Sequence, residues 1–209
     1  MLKVENGMRI LFIGDSITDV KFNKWQNRNI GGKKIYALQL ADELKKKYSD
    51  LKFFYKGIAS NRSYHVYDRL TKDCINLKPD IIIMLIGVND AWENYVPEQY
   101  PPLLRPFEPH MKEIFRRIKA ELSESKLIVM LPFLINTIEE KKPFHKVLDV
   151  YRADLLSYAK GYANEIIDLQ AKFDEAEKTD EPYKLAHDGV HPTEYGHSII
   201  CKAIMEVLE

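Results

Sequence analysis

The sequence predicts an α/β protein, a three-layer α/β/α sandwich built on a five-stranded parallel sheet. Three observations lead there. Short apolar runs alternate with longer amphipathic ones from one end of the chain to the other, the pattern of repeated β-α units. The run Ile81–Ile86 is apolar at every position, as a strand covered by helices on both faces requires. Three of the four fragments that carry chemistry follow strand ends, where open parallel sheets place their ligand sites.

The strand candidates are Arg9–Ile13, Leu51–Tyr55, Ile81–Ile86, Leu127–Leu131 and Glu165–Leu169. Between them the spacing of apolar residues is helical. Ala37, Leu40, Ala41 and Leu44 mark one helix; Val66, Tyr67, Leu70, Cys74 and Leu77 a second; Met111, Ile114, Phe115, Ile118 and Leu122 a third. Val147, Val150, Tyr151, Leu155 and Tyr158 mark a fourth, and Ile199, Ala203 and Val207 beside Ile200, Ile204 and Leu208 a fifth. Pro192 is expected in the first turn of that last helix. The stretches Ala91–Pro106 and Pro132–His145 read as irregular and, following strand ends, as walls of a cleft.

With 209 residues and no repeat, low-complexity tract or linker, the chain reads as one domain over 1–209. Thirty-one basic residues balance thirty-one acidic ones, so no global field favours nucleic acid or an anionic membrane. The N-terminal residues lack the apolar segment of a secretory signal, and no stretch is apolar enough to span a bilayer. The expectation is a cytoplasmic protein acting on a small molecule. Cys74 and Cys201 lie in helical segments outside any redox or metal-ligand spacing, and are expected as buried free thiols.

Four fragments carry chemistry. Gly14-Asp15-Ser16-Ile17-Thr18 follows the first strand and puts a serine hydroxyl at the carboxyl edge of the sheet, although a serine there also serves as a helix cap. A serine hydroxyl needs a base to act as nucleophile. Asp188-Gly189-Val190-His191-Pro192 offers one: the proline keeps His191 out of a helix, and an aspartate three residues earlier can fold back onto Nδ1. Taken alone, that tetrapeptide is equally a solvated turn. Gly87-Val88-Asn89-Asp90 follows the central strand, where an asparagine amide can stabilise an oxyanion or simply make a turn. Lys56-Gly57-Ile58-Ala59-Ser60-Asn61-Arg62 follows the second strand.

In this order GDSIT, the Gly-containing loop, GVND and DGVHP resemble the SGNH, or GDSL-type, hydrolases, over Arg9 to about Leu208. The resemblance implies a flavodoxin-like sandwich with Ser16 as nucleophile, His191 as general base and acid, and Asp188 orienting it. It implies an oxyanion hole of Asn89 and the backbone amide of Ser16, with a third donor from the loop after strand two. Such enzymes usually read Gly-Ile-Ser-Gly there, whereas this chain has Gly57-Ile58-Ala59-Ser60. Ser60 keeps the N–H but lacks glycine's freedom at positive φ. No metal or other cofactor is implied.

Within the superfamily, Tyr55–Asn61, Ile86–Tyr95, Leu131–Phe133 and Asp168–Phe173 look most like the intracellular acetylxylan esterases. That resemblance implies acetylated xylo-oligosaccharides as substrate and a homo-oligomer. Asp15, Trp25, Trp92 and Tyr95 are the candidate substrate contacts, the aromatics offering either flat faces to sugar rings or core packing. A lysophospholipase or thioesterase would use the same triad on longer acyl chains. Two further readings lack support in the spacing: a phosphate-binding module at Gly14–Thr18 or Gly31–Lys34, which lacks the P-loop pattern, and a metal site of Asp15, Asp19, Asp90 and His191. A phosphotransferase using Asp15 as nucleophile is weaker still.

Overall fold

The computed structural model describes residues 1–22, 34–96 and 106–209. Five strands, β1 (Arg9–Gly14), β2 (Lys52–Gly57), β3 (Ile81–Leu85), β4 (Lys126–Leu131) and β5 (Glu165–Asp168), form one sheet in the order β2-β1-β3-β4-β5. Every neighbouring pair is parallel. The predicted strands are each present; β2 runs on to Gly57 and β3 stops at Leu85.

The helices are α1 (Tyr36–Lys45), α2 (Ser63–Asp73), α3 (Val88–Tyr95), α4 (Phe107–Glu121), α5 (Phe144–Ala159), α6 (Leu169–Ala176), α7 (Pro182–Leu185) and α8 (Glu194–Met205). Because side chains alternate along a strand, each central strand feeds two cores. Ile10, Phe12, Ile81, Ile83 and Ile128 pack with Tyr36 and Leu40 of α1, Phe173 of α6 and Ile200 and Ile204 of α8. Leu11, Ile13, Ile82, Met84 and Val129 pack on the other face with Val66 and Leu70 of α2 and with Met111, Ile114 and Phe115 of α4. All five residues of β3 are buried, which accounts for its unbroken apolar run.

Two local expectations need correction. Pro192 precedes α8 rather than entering it: Thr193 is the N-cap, its hydroxyl accepting from the Gly196 N–H at 3.1 Å, while Pro192 bridges to Ala186. A hydroxyl that satisfies an orphan helix donor outcompetes a proline that offers none. Ala91–Tyr95, read as irregular, complete α3, and residues 97–105 of that stretch lie outside the described residues. The prolines that made Ala91–Pro106 look irregular, Pro97, Pro101, Pro102 and Pro106, all follow the end of that helix.

The sheet fixes where a site can form. The chain leaves β1 for β2 on one side and β3 lies on the other, so the connections diverge at the carboxyl ends of β1 and β3, leaving a crevice. Close approach there demands glycine. A Cβ on Gly14 would stand 2.2 Å from the Leu85 carbonyl oxygen, and one on Gly57 2.2 Å from the Thr18 carbonyl carbon. Cys74 and Cys201 are buried and free, as expected. No helix among the described residues is long and apolar enough to cross a membrane.

Candidate active site

At the end of β1 the chain turns sharply. The Asp15 carboxylate accepts from the Ile17 N–H at 3.0 Å, and Thr18 N–H returns to the Asp15 carbonyl at 3.2 Å. This turn places Ser16 at the crevice, 5% exposed, its hydroxyl donating to His191 Nε2 at 2.9 Å. The Nδ1–H of His191 donates to Asp188 Oδ2 at 2.7 Å. Asp188 Oδ1 accepts from the N–H groups of Val190 and His191 at 2.9 and 2.8 Å. Gly189, at φ +81°, makes that fold-back possible, and a Cβ there would stand 2.8 Å from the Ile135 carbonyl oxygen.

The segment after β4 holds this loop by three donors. Thr137 Oγ1 donates to the Ala186 carbonyl at 2.7 Å, Lys141 Nζ to the Asp188 carbonyl at 2.7 Å, and the Ile135 N–H to the Gly189 carbonyl at 2.8 Å. Burial works to raise the Asp188 carboxyl, but the hydrogen bond and charge of His191 and the two backbone donors outweigh it and hold it well below the usual carboxylate range. Asp188 is therefore ionised at neutral pH and keeps the proton of His191 on Nδ1. Nε2 is left as the acceptor that a serine nucleophile needs.

Across the crevice, Asn89 projects from the start of α3. Its Nδ2 donates to the Asn61 carbonyl at 3.0 Å, which fixes the amide plane while using one of its two hydrogens. Ser60 sits at φ +61°, in the left-handed region that glycine normally fills.

The segment bearing Ser60 is bound to α3 at further points. Asp90, 2% exposed, accepts from Ser63 N–H at 3.1 Å and Ser63 Oγ at 2.6 Å; Arg62 pairs with Glu93 at 2.7 Å. Burial outweighs those hydrogen bonds and pushes the Asp90 carboxyl up to about 6.

Beside His191 and Asn89 lies a cavity of about 140 Å³ lined by Val88, Asn89, Trp92, Lys141, Asp188, Val190 and His191. Of the expected substrate contacts, Trp92 lines it. Tyr95 packs on Phe144, ring centroids 5.3 Å apart, beside the edge-on Trp92–Phe144 pair at 5.1 Å, and belongs to the core surround. Trp25 lies outside the described residues. Lys141 falls within Pro132–His145, the stretch expected to wall the cleft, and Val190 within the Asp188–Pro192 motif, though neither was a named contact.

Asp15, the remaining expected contact, is 0% exposed and forms the floor of the turn, where its carboxylate accepts from the Ile17 N–H. Asp15, Asp19, Asp90 and His191 do not gather as ligands. Among the described residues no group of three or more His, Cys, Asp or Glu side chains is placed to hold an ion.

Burial pushes the Asp15 carboxyl up to about 7. A carboxyl raised on folding contributes stability below its unfolded pKa and loses it as pH rises through the folded value. Asp15→Asn keeps the acceptor for Ile17 but cannot ionise. Its melting temperature relative to the native chain should therefore rise between about pH 5 and about pH 8, a trend read directly from thermal melts. A flat difference would contradict the raised carboxyl.

A serine hydroxyl bonded to a histidine that an ionised aspartate orients, at the carboxyl edge of a parallel sheet, has the chemistry of an acyl-transferring hydrolase. Comparison with known proteins agrees. Residues 12–199 match the model of the GDSL-like lipase/acylhydrolase family. An acetylxylan esterase of Geobacillus stearothermophilus is 30% identical over 213 residues, 98% of this chain and 95% of that one. The crystal structure of an acetylxylan esterase from that organism superimposes with a TM-score of 0.80 at 29% identity, covering 98% and 95% of the two chains. A protein described as a GDSL-like lipase from Parabacteroides merdae superimposes with a TM-score of 0.80 at 26% identity, covering 97% and 96%. Alanine variants of the Geobacillus enzyme at a serine, an aspartate and a histidine are described as catalytic mutants, and its aspartate and histidine are three residues apart, as Asp188 and His191 are here. The chain belongs to the GDSL-like lipase/acylhydrolase family and is a carboxylic ester hydrolase.

Proposed function

We propose that this protein is a serine acetylesterase that removes O-acetyl groups from short xylo-oligosaccharides or related sugars through an acyl-enzyme. The observation that carries this reading is the relay from Ser16 to His191 to Asp188, at 2.9 and 2.7 Å, beside a cavity of only about 140 Å³. Ser16 Oγ attacks the acetyl carbonyl carbon while His191 Nε2 takes its proton. The oxyanion receives hydrogen bonds from the amides of Ser16 and Ser60 and from Asn89 Nδ2. His191 then protonates the departing sugar oxygen, and water, deprotonated by His191, releases acetate and restores Ser16.

The cavity between Asn89, Trp92 and His191 accommodates an acetyl methyl. The sugar assignment rests on the kinship with an acetylxylan esterase. The test compares p-nitrophenyl acetate with the octanoate in excess chelator, followed by acetate release from acetylated xylo-oligosaccharides. A kcat/KM for acetate at least about tenfold above that for octanoate supports the reading, as pocket discrimination of a few methylene groups usually gives that much. Preference for octanoate would instead make it a lysophospholipase or thioesterase, and loss of activity in chelator would remove the metal-free scheme.

A further inference from the structure

Arg69 of α2 reaches under the crevice with its side chain only 13% exposed. Its Nη2 donates to the Gly14 carbonyl at 3.0 Å, its Nη1 to the Lys56 carbonyl at 2.8 Å, and its Nε to Asn61 Oδ1 at 2.9 Å. One carboxylate meets it, Asp73 Oδ2 at 3.3 Å from Nη1, and Asp73 is shared with Lys56 Nζ at 2.9 Å. A guanidinium is thus taken out of water to face three neutral oxygens and one shared carboxylate. Burial is the largest influence on it and works against its charge. An apolar side chain would fill the same space between α2 and the sheet at lower cost in desolvation.

The three oxygens share one property. Gly14 precedes the Asp15-Ser16 turn, Lys56 precedes the loop that presents Ser60, and Asn61 follows Ser60. Asn61 also accepts, through its carbonyl, the hydrogen bond that fixes Asn89 Nδ2. From these contacts we infer that Arg69 is the positioning residue of the oxyanion hole. One planar group registers the elements bearing the Ser16 amide, the Ser60 amide and the Asn89 side chain. The inference rests on the esterase reading given above, and it extends it to a residue that touches neither substrate nor the reacting atoms. Arginine suits the task because its donors form a rigid fork, whereas a lysine ammonium could hold one or two of these oxygens without fixing their mutual angle.

The test is a double-mutant cycle on p-nitrophenyl acetate, with Arg69→Met and Asn89→Ala made singly and together, and thermal melts of each. Arg69→Met should lower kcat about 10²-fold with KM nearly unchanged, since small misplacement of transition-state donors costs about that much. In the Asn89→Ala background the same change should cost about tenfold or less, because the donor it positions is already gone. Arg69→Lys keeps a cation for Asp73 but not the fork. It should share most of the kcat loss, and it replaces Arg69→Met in the cycle if that variant fails to fold. Losses that multiply across the cycle, an unchanged kcat in Arg69→Met, or an effect on KM alone would each overturn the inference while leaving the esterase reading intact. Full activity in Asn89→Ala by itself would overturn the oxyanion assignment, and this inference with it.

Discussion

Ser16→Ala should lower kcat for p-nitrophenyl acetate by about 10³-fold or more while the protein stays folded. The exchange removes one oxygen from a side chain that is 5% exposed, and it leaves the Asp15 to Ile17 hydrogen bond that shapes the turn. What disappears is the atom that would form the acyl-enzyme. His191→Ala should cost about as much, and the double variant little more than either, because the two groups perform one step. Asp188→Asn should also be severe. An amide that turns its NH₂ toward His191 Nδ1 favours the other tautomer and puts a hydrogen where Ser16 Oγ must donate. Retention of activity within about tenfold in Ser16→Ala would mean that another group carries the chemistry. A matched pair of melting curves keeps that result separate from unfolding.

The parts of this site that were legible in sequence are those that one residue type and one neighbour determine. Ser16 could be placed because a strand of apolar residues ends in Gly14, and the structure shows why that glycine is required: Leu85 leaves no room for a Cβ. His191 could be placed because proline bars helix at that position, and Asp188 because Gly189 lets the chain return on itself. Ser16 and His191, 175 positions apart, could be paired because a serine nucleophile needs a base, and the resemblance to a known family strengthened a pairing that neither fragment decides alone.

What sequence could not supply depends on partners far along the chain. The motif that names Asp15 does not say whether its carboxyl faces substrate or core, and it faces the core. Nothing in Ser60 foretells a φ of +61° beyond the glycine it replaces. Arg69 reads as an ordinary helical arginine, because its acceptors, Gly14, Lys56 and Asn61, meet only when β1, β2 and α2 are assembled. Lys141 lies in a stretch expected to wall the cleft, but its bond to the Asp188 carbonyl depends on a partner 47 positions away. The fold itself was far more legible than these, since helices on both faces of the sheet write unbroken apolar runs into β1, β3 and β4.

The oxyanion assignment makes the second large prediction. Asn89→Ala should reduce kcat by about 10²–10³-fold and leave KM nearly unchanged, because the lost hydrogen bond strengthens only as the carbonyl oxygen gains charge. Asn89→Asp is the more exacting variant. A carboxylate of almost the same shape cannot donate to the Asn61 carbonyl, so the side chain would lose the contact that now fixes it at 3.0 Å. It would also set a negative charge against a developing one, and should therefore be at least as slow as the alanine variant at neutral pH. An aspartate as active as the native asparagine would show that position 89 sees no oxyanion, and the remaining stabilisation would have to come from the backbone amides of Ser16 and Ser60. The comparison of alanine with aspartate thus separates loss of a donor from introduction of charge, which neither variant does alone.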